Sequence, residues 1–584
     1  MRRFLFSILS LSFALVATAQ VHREVEVTKQ YAPALQQSRK LTIVPGEVDT
    51  VTIRPEIDYT ITPKAFSAAF TTEKFRPASV TYWEYARKYP FYLKAGVGYP
   101  IASELDFYAT TQRADVGYLT AFVNHVGRFS PIKVADADGS ILKNNSNQMV
   151  NRVGLGGGKY FGKYTLDGIL GYNASMYNRY AYTPSERFDT PEKVDFETMG
   201  IDLSFGDQFA DLTKLNFSVY LSADFYNDKS EQFGFFNPND LVSDMKLQQM
   251  NFDAGVKFAK SIGQKCDLSA TVGYQGYYGM QKMADYSNTM VTASLLFGYH
   301  TPSLFELKVG LSYTYDNLAL AHQKSVSHLL PYLYLGFDIG SGVFVPYLEV
   351  DGKVENNSYC SMQQRKPYIA IMGYESLPVA STNLALPNTT EYNARLGFMG
   401  QINSGKLSYR LYANIAVAQN ALYWYNVDRA FFAAKTARLD TWSVNATVEY
   451  KPISSLLITA SAKGMLYKKY ANVEIARPNL EADLAVRYVH RKFAVGLNAA
   501  LVSSTKWSVV TSDSQSTTAA HDISTATTKS FGTYIDLGLS ADWFVSKQCT
   551  LFIEGRNLTN SNIYRWAFYR EYGIGCLVGF KVQF

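Results

Sequence analysis

Beyond residue 20 this sequence has no run of about 18 consecutive apolar residues, which excludes a transmembrane helix there. If the chain lies in a membrane it must cross as a closed β-barrel, the other structure that satisfies its backbone in lipid. Cysteine is equally sparse. Cys266, Cys360, Cys549 and Cys576 are scattered and match no C-x-x-C metal spacing. In antiparallel register Cys549 and Cys576 fall at different heights on adjacent strands, so we expect no structural disulfide. The seven histidines (His22, His125, His300, His322, His328, His490 and His521) show no i,i+4 pair and no carboxylate at catalytic spacing. We therefore expect no enzyme, no metal site and no cofactor. A net charge of +6 is too small for 584 residues to imply a nucleic-acid partner.

What the chain does have is aromatic residues and alternation. Aromatics reach 15%, with 43 Tyr, 36 Phe and 39 Gly. Tyrosine suits the interfacial girdles of a barrel, where half of the ring is wet. Both ends of the sequence point to the same compartment. Arg2 and Arg3 precede an apolar run from Phe4 to Val16, and Ala17-Thr18-Ala19 follows. This reads as a secretory signal peptide over residues 1–19. No Cys follows the cleavage site, which argues against a lipoprotein anchor. At the other end, Ile574, Cys576, Val578, Phe580 and Val582 share one face of a final strand that ends in Phe584. Val578, Phe580, Val582 and Phe584 resemble the C-terminal signal by which outer-membrane barrels are recognised for assembly.

Residues 20–88 differ from the rest. Pro33, Pro45, Pro55, Pro63 and Pro77 separate short extended pieces, and proline excludes a central strand. We read an extended periplasmic segment that lies against the barrel, enters its lumen or binds a partner. From about Tyr89 the pattern becomes long strands of period two. Leu215–Tyr226 sets Leu215, Phe217, Val219, Leu221, Ala223 and Phe225 against Asn216, Ser218, Tyr220, Ser222, Asp224 and Tyr226. Leu166–Met176, Leu480–Tyr488 and Ile535–Trp543 divide in the same way. Mid-strand carboxylates such as Asp224, Glu481, Asp483, Asp536 and Asp542 belong on the wet face. Connections alternate between short turns and long polar loops. The short ones include 161–163, 261–265 and 403–405; the long ones include 127–147, 355–388, 419–440 and 503–531. The expected fold is all-β, a transmembrane antiparallel barrel over residues 89–584 of about 22 strands, with both termini in the periplasm.

Leu386-Pro387-Asn388-Thr389-Thr390-Glu391-Tyr392-Asn393, followed by Leu396-Gly397-Phe398, resembles a strand-opening pattern of TonB-dependent receptor barrels. That pattern usually has an acidic residue where Asn388 stands. Arg556-Asn557-Leu558-Thr559-Asn560 with Tyr564 resembles the element before their last strand, and the ending Gly579–Phe584 also matches. The resemblance covers the barrel, chiefly its C-terminal half. Such receptors carry a globular plug, and residues 20–88 are too short for one. The resemblance therefore implies a plugless relative in the outer membrane of a Gram-negative bacterium.

The remaining candidates are weaker. Val25, Glu26 and Val27 alternate as a partner-contacting strand would, and equally as any short extended segment does. Asp136–Ser140 begins like a calcium loop but lacks its sixth-position Gly and twelfth-position Glu. Ser503–Ser530 is polar and of low complexity, the composition of a mobile loop. Tyr423, Trp424, Tyr425, Phe431 and Phe432 are candidate exposed aromatics for surface contact, or an upper girdle. The expected partners are outer-membrane lipid, the barrel-assembly machinery and a periplasmic or outer-membrane protein. Solute passage or receptor-like binding is the expected function. The alternative is a structural or accessory subunit of a larger outer-membrane complex, for assembly or export, docking through residues 20–88.

Overall fold

The computed structural model describes residues 89–584 except 114–115, 136–140, 182–192, 208, 210, 231, 234–240, 243–246, 282, 302–303, 320–324, 341, 370–385, 428, 430 and 511–525. The signal peptide, the Pro-rich segment with Val25, Glu26 and Val27, the calcium-like Asp136–Ser140, and His22, His322 and His521 lie outside the described residues. Within the strands, burial follows the alternation. In Asn216–Asp228 the outward Val219 and Leu221 are 39% and 45% exposed, whereas Asn216 and Tyr226 on the other face are buried. Leu166, Leu170, Leu480, Leu484, Ile535 and Leu539 likewise stand outward. Apolar side chains outside and polar ones inside reverse the order of a soluble sheet, as a wall between lipid and water requires. No helix among the described residues is long and apolar enough to cross a membrane.

The wall is an all-β closed antiparallel barrel of 22 strands, from Phe91–Tyr99 to Gly575–Gln583. The first and last strands pair directly, with Lys94 opposite Lys581, Gly96 opposite Gly579 and Val97 opposite Val578. Phe584 and Phe91 exchange two backbone hydrogen bonds of 3.0 Å, and their rings stack at 5.2 Å. This closure removes the sheet edge. The glycine pair at the seam is a requirement of packing. A Cβ on Gly579 would lie 2.0 Å from the Ala95 carbonyl oxygen, and the Phe552 ring covers both glycines from the inside.

An even number of strands brings Phe91 and Phe584 to one end of the barrel. Turns at that end are short, among them 162–163, 263–265, 403–406 and 490–492. Gly162, Gly263 and Gly405 take positive φ there. The long connections 129–147, 179–192, 229–246, 356–388, 503–533 and 557–574 all lie at the opposite end.

Two expected loops are corrected. Residues 419–440 are mainly a continuation of the wall, because Leu407–Val427 and Phe431–Ile453 run on as strands of 21 and 23 residues. A bulge between Ala418 and Ala421, with Asn420 at φ 52°, re-aims the hairpin. The β-forming run Ala421–Val427 carries the ladder past the wall. Within the Ser/Thr-rich stretch Thr505–Val510 pairs with Thr527–Phe531 as a hairpin. Thr505–Val510 also pairs in parallel with the end of Leu407–Val427, and these two strands bring the sheet to 24. All four cysteines are free, with Cys549 opposite Val582 and Cys576 opposite Gly555.

Candidate functional site: the packed mouth and the inner wall

The long connections pack against one another. Ile132, Tyr180, Tyr286, Tyr359, Trp424, Phe432, Trp507 and Tyr569 are buried in a single apolar cluster. These residues come from connections all round the ring. Connections from opposite sides of a barrel share one cluster only if they meet over the lumen. Tyr368 and Tyr569 stack at 3.8 Å, Tyr180 meets Tyr569 edge-on at 5.0 Å, and Phe432 meets Trp507 at 5.4 Å. Burying an aromatic ring removes 150–250 Å² from water, so such a cluster holds the connections together without disulfides.

The centre of this lid is a short helix, Tyr359–Arg365, in the connection 356–388. Ser358 caps it, its side chain accepting a hydrogen bond from the Ser361 backbone N–H at 3.3 Å. The helix docks on the barrel rim through Asp228. Tyr359 donates to that carboxylate at 2.7 Å and Gln363 at 3.0 Å, and the Ser230 N–H donates at 2.8 Å. Tyr226 donates to Gln363. Buried Cys360 sits on the same helix, and burial pushes its thiol up to about 12.

Lys366 follows the helix and is 9% exposed. Its ammonium lies 4.1 Å from the ring centre of Trp566, 4.5 Å from Trp507, 4.8 Å from Trp424 and 5.8 Å from Phe432. All four are within cation–π range. Burial pushes the lysine pKa well below its usual value and the charge of Arg477 adds to this. The rings act in the opposite direction, since they attract only the charged form.

Below the lid the inner wall is polar. Asn388 replaces the acid expected from the receptor pattern, and its surroundings give the reason. It is buried and donates to Asp316 at 2.8 Å and to Asn288 at 3.2 Å. It also accepts from Asn356 at 3.2 Å and from the Asn357 N–H at 3.3 Å. A carboxylate here would face Asp316 with no proton between them, whereas an amide supplies the donor. Near the seam Lys94 pairs with Glu104 and lies 3.5 Å from Glu554, while Arg556 reaches Glu104 at 3.1 Å and Glu554 at 3.0 Å. Lys581 pairs with Asp542 at 2.6 Å. A cavity of about 450 Å³ opens between wall residues Arg152, Asn173, Ser175 and Thr198 and the helix residue Gln364.

Tyr423, Trp424, Tyr425, Phe431 and Phe432 are not exposed; they are between 0% and 9% accessible because neighbouring connections pack over them. Trp424 and Phe432 line the Lys366 cage, while Tyr423, Tyr425 and Phe431 belong to a second apolar cluster with Val473 and Val510. Val578 and Phe580 face outward at 44% and 40% exposure, and Phe584 lies at the seam. His328 lies on the strand Val326–Phe337, inside, 3.8 Å from Asp316. Among the described residues no group of His, Cys, Asp and Glu is arranged to hold a metal ion. Sequence reasoning missed Lys366, Asp228, Trp507 and Trp566. Trp507 and Trp566 both fall in long connections, and that was the available signal.

The sequence matches no family model and no curated protein. The fold matches many solved structures. The FrpB iron transporter from Neisseria meningitidis superposes with a TM-score of 0.63 at 12% identity, over 85% of this chain and 81% of that one. The ferric enterobactin receptor PfeA from Pseudomonas aeruginosa gives 0.63 at 10% identity, over 85% and 80%. The ferripyoverdine receptor of the outer membrane of Pseudomonas aeruginosa gives 0.58 at 11% identity, over 85% and 72%. At such identities the likeness is one of fold.

Proposed function

We propose that this chain is an outer-membrane β-barrel of a Gram-negative bacterium that passes or binds a solute at the cell surface. It resembles TonB-dependent receptors but lacks their plug. The observation that carries this reading is the 22-strand wall, apolar outside and polar inside, whose fold is shared with proteins named an iron transporter and a ferric enterobactin receptor. On this reading the chain is not an enzyme. The short-turn end faces the periplasm and the packed lid faces outward. The strand ending Val578, Phe580, Val582, Phe584 is its assembly signal, read by the barrel-assembly machinery. Residues 20–88 enter at the periplasmic end, to close the lumen or to engage a partner through Val25, Glu26 and Val27.

Single-channel recording in planar bilayers tests this reading. The full chain should be mostly closed, and a chain lacking residues 20–88 should show more frequent openings. A barrel that stays silent in both forms would remove solute passage from the account. The packed lid specifically favours a second reading, an accessory subunit of an outer-membrane complex whose lumen does not open. Native pull-down from detergent-solubilised membranes distinguishes the two: partners should be retained by the full chain and lost on deletion of residues 20–88. Partners retained after that deletion would exclude docking through the segment.

A further inference from the structure

Lys366 is a feature of the lid that apolar packing does not account for. A buried ammonium is costly unless it is paired with an anion or solvated. Among the described residues no carboxylate forms an ion pair with Lys366, and the charged neighbour that acts on it is another cation, Arg477. What surrounds the ammonium is aromatic: Trp424, Phe432, Trp507 and Trp566, at 4.1 to 5.8 Å. The four rings come from three separate hairpins and are themselves packed, Phe432 against Trp507 at 5.4 Å and against Trp566 at 6.2 Å. Several aromatic faces around one cation with no carboxylate is the chemistry of an alkylammonium site.

The geometry points to an alkylammonium-binding cage at the mouth of the barrel, occupied in cis by Lys366, which acts as the latch of the lid. The latch joins the connection 356–388 to all three hairpins at once. Its energetics make it releasable. Water regains the ammonium when it leaves, so the charge term that favours the closed state is small compared with the apolar area it organises. A soluble alkylammonium competes for the same rings. The tethered lysine resists it through its high effective concentration.

Chemical complementation tests the proposal on the full-length protein. Lys366→Ala removes the three carbons and nitrogen that n-propylammonium supplies. The readouts are acrylamide quenching of tryptophan emission, and conductance. Quenching reports the cage whether or not a solute passes, so this proposal and the passage reading, on which only the conductance arm rests, can fail separately. Lys366→Ala should raise tryptophan quenching. n-Propylammonium should reverse this saturably, n-propanol should not, and wild type should bind n-propylammonium at least about tenfold more weakly. Quenching equal to wild type, or equal rescue by n-propanol, would overturn the proposal. Should Lys366→Ala fail to fold, Lys366→Met keeps the volume and loses the charge. It should show raised quenching that n-propylammonium does not reverse, and wild-type quenching in that variant would equally overturn it.

Discussion

At the scale of single residues, the stability of this barrel depends on a few polar groups placed where substitution is costly. Lys94 is 3% exposed between Glu104 and Glu554. Lys94→Met would leave Glu104 and Glu554 with Arg556 as their shared cation. We expect a loss of about 1–2 kcal/mol in urea unfolding from detergent micelles, below the roughly 3–5 kcal/mol of a buried charge left unpaired, because Arg556 still holds both carboxylates. Its ammonium also lies 4.9 Å from the ring centre of Phe552, a cation–π contact that Met gives up. Cys360 gives a second expectation. Burial and a pKa pushed up to about 12 leave little thiolate at pH 8, so it should not react with maleimide until the lid is unfolded. Rapid labelling of Cys360 in the folded barrel would contradict the packing described for the helix.

At the scale of elements, the seam and the lid are the two joints. Gly579→Val should prevent the first and last strands from closing, because its Cβ would sit 2.0 Å from the Ala95 carbonyl. The expected result is loss of heat-modifiable mobility on gel electrophoresis, the behaviour of a folded barrel. Phe432→Ala should loosen the lid and leave the wall intact, at about 3–5 kcal/mol for a buried aromatic. The wall strands were legible in the sequence because one rule governs them. Leu215–Tyr226 shows which face is wet by setting Asp224 among Ser and Asn. The hairpin 421–434 obeys the same period but stands beyond the lipid, where both faces are covered by protein. Its aromatics therefore looked exposed in the sequence when they are core. Nothing local marks Trp507 and Trp566 as neighbours of Lys366, since their meeting depends on three connections crossing one lumen.

At the scale of the whole molecule, the described residues form a wide barrel with its own connections packed together across one end. The fold and closure followed from alternation and strand count. The lid did not, because long polar connections carry no period from which their packing can be read. Asn388 shows how both kinds of information combine. The motif placed it at the start of a wall strand, and only Asp316 beside it explains why it is an amide. The most direct measurement is conductance of single barrels in planar bilayers, with residues 20–88 present or removed and with Lys366→Ala in each background. The account predicts the least conductance from the intact chain and the most when segment and latch are both removed. Steady conductance from the intact chain, equal to that of the doubly altered one, would contradict it.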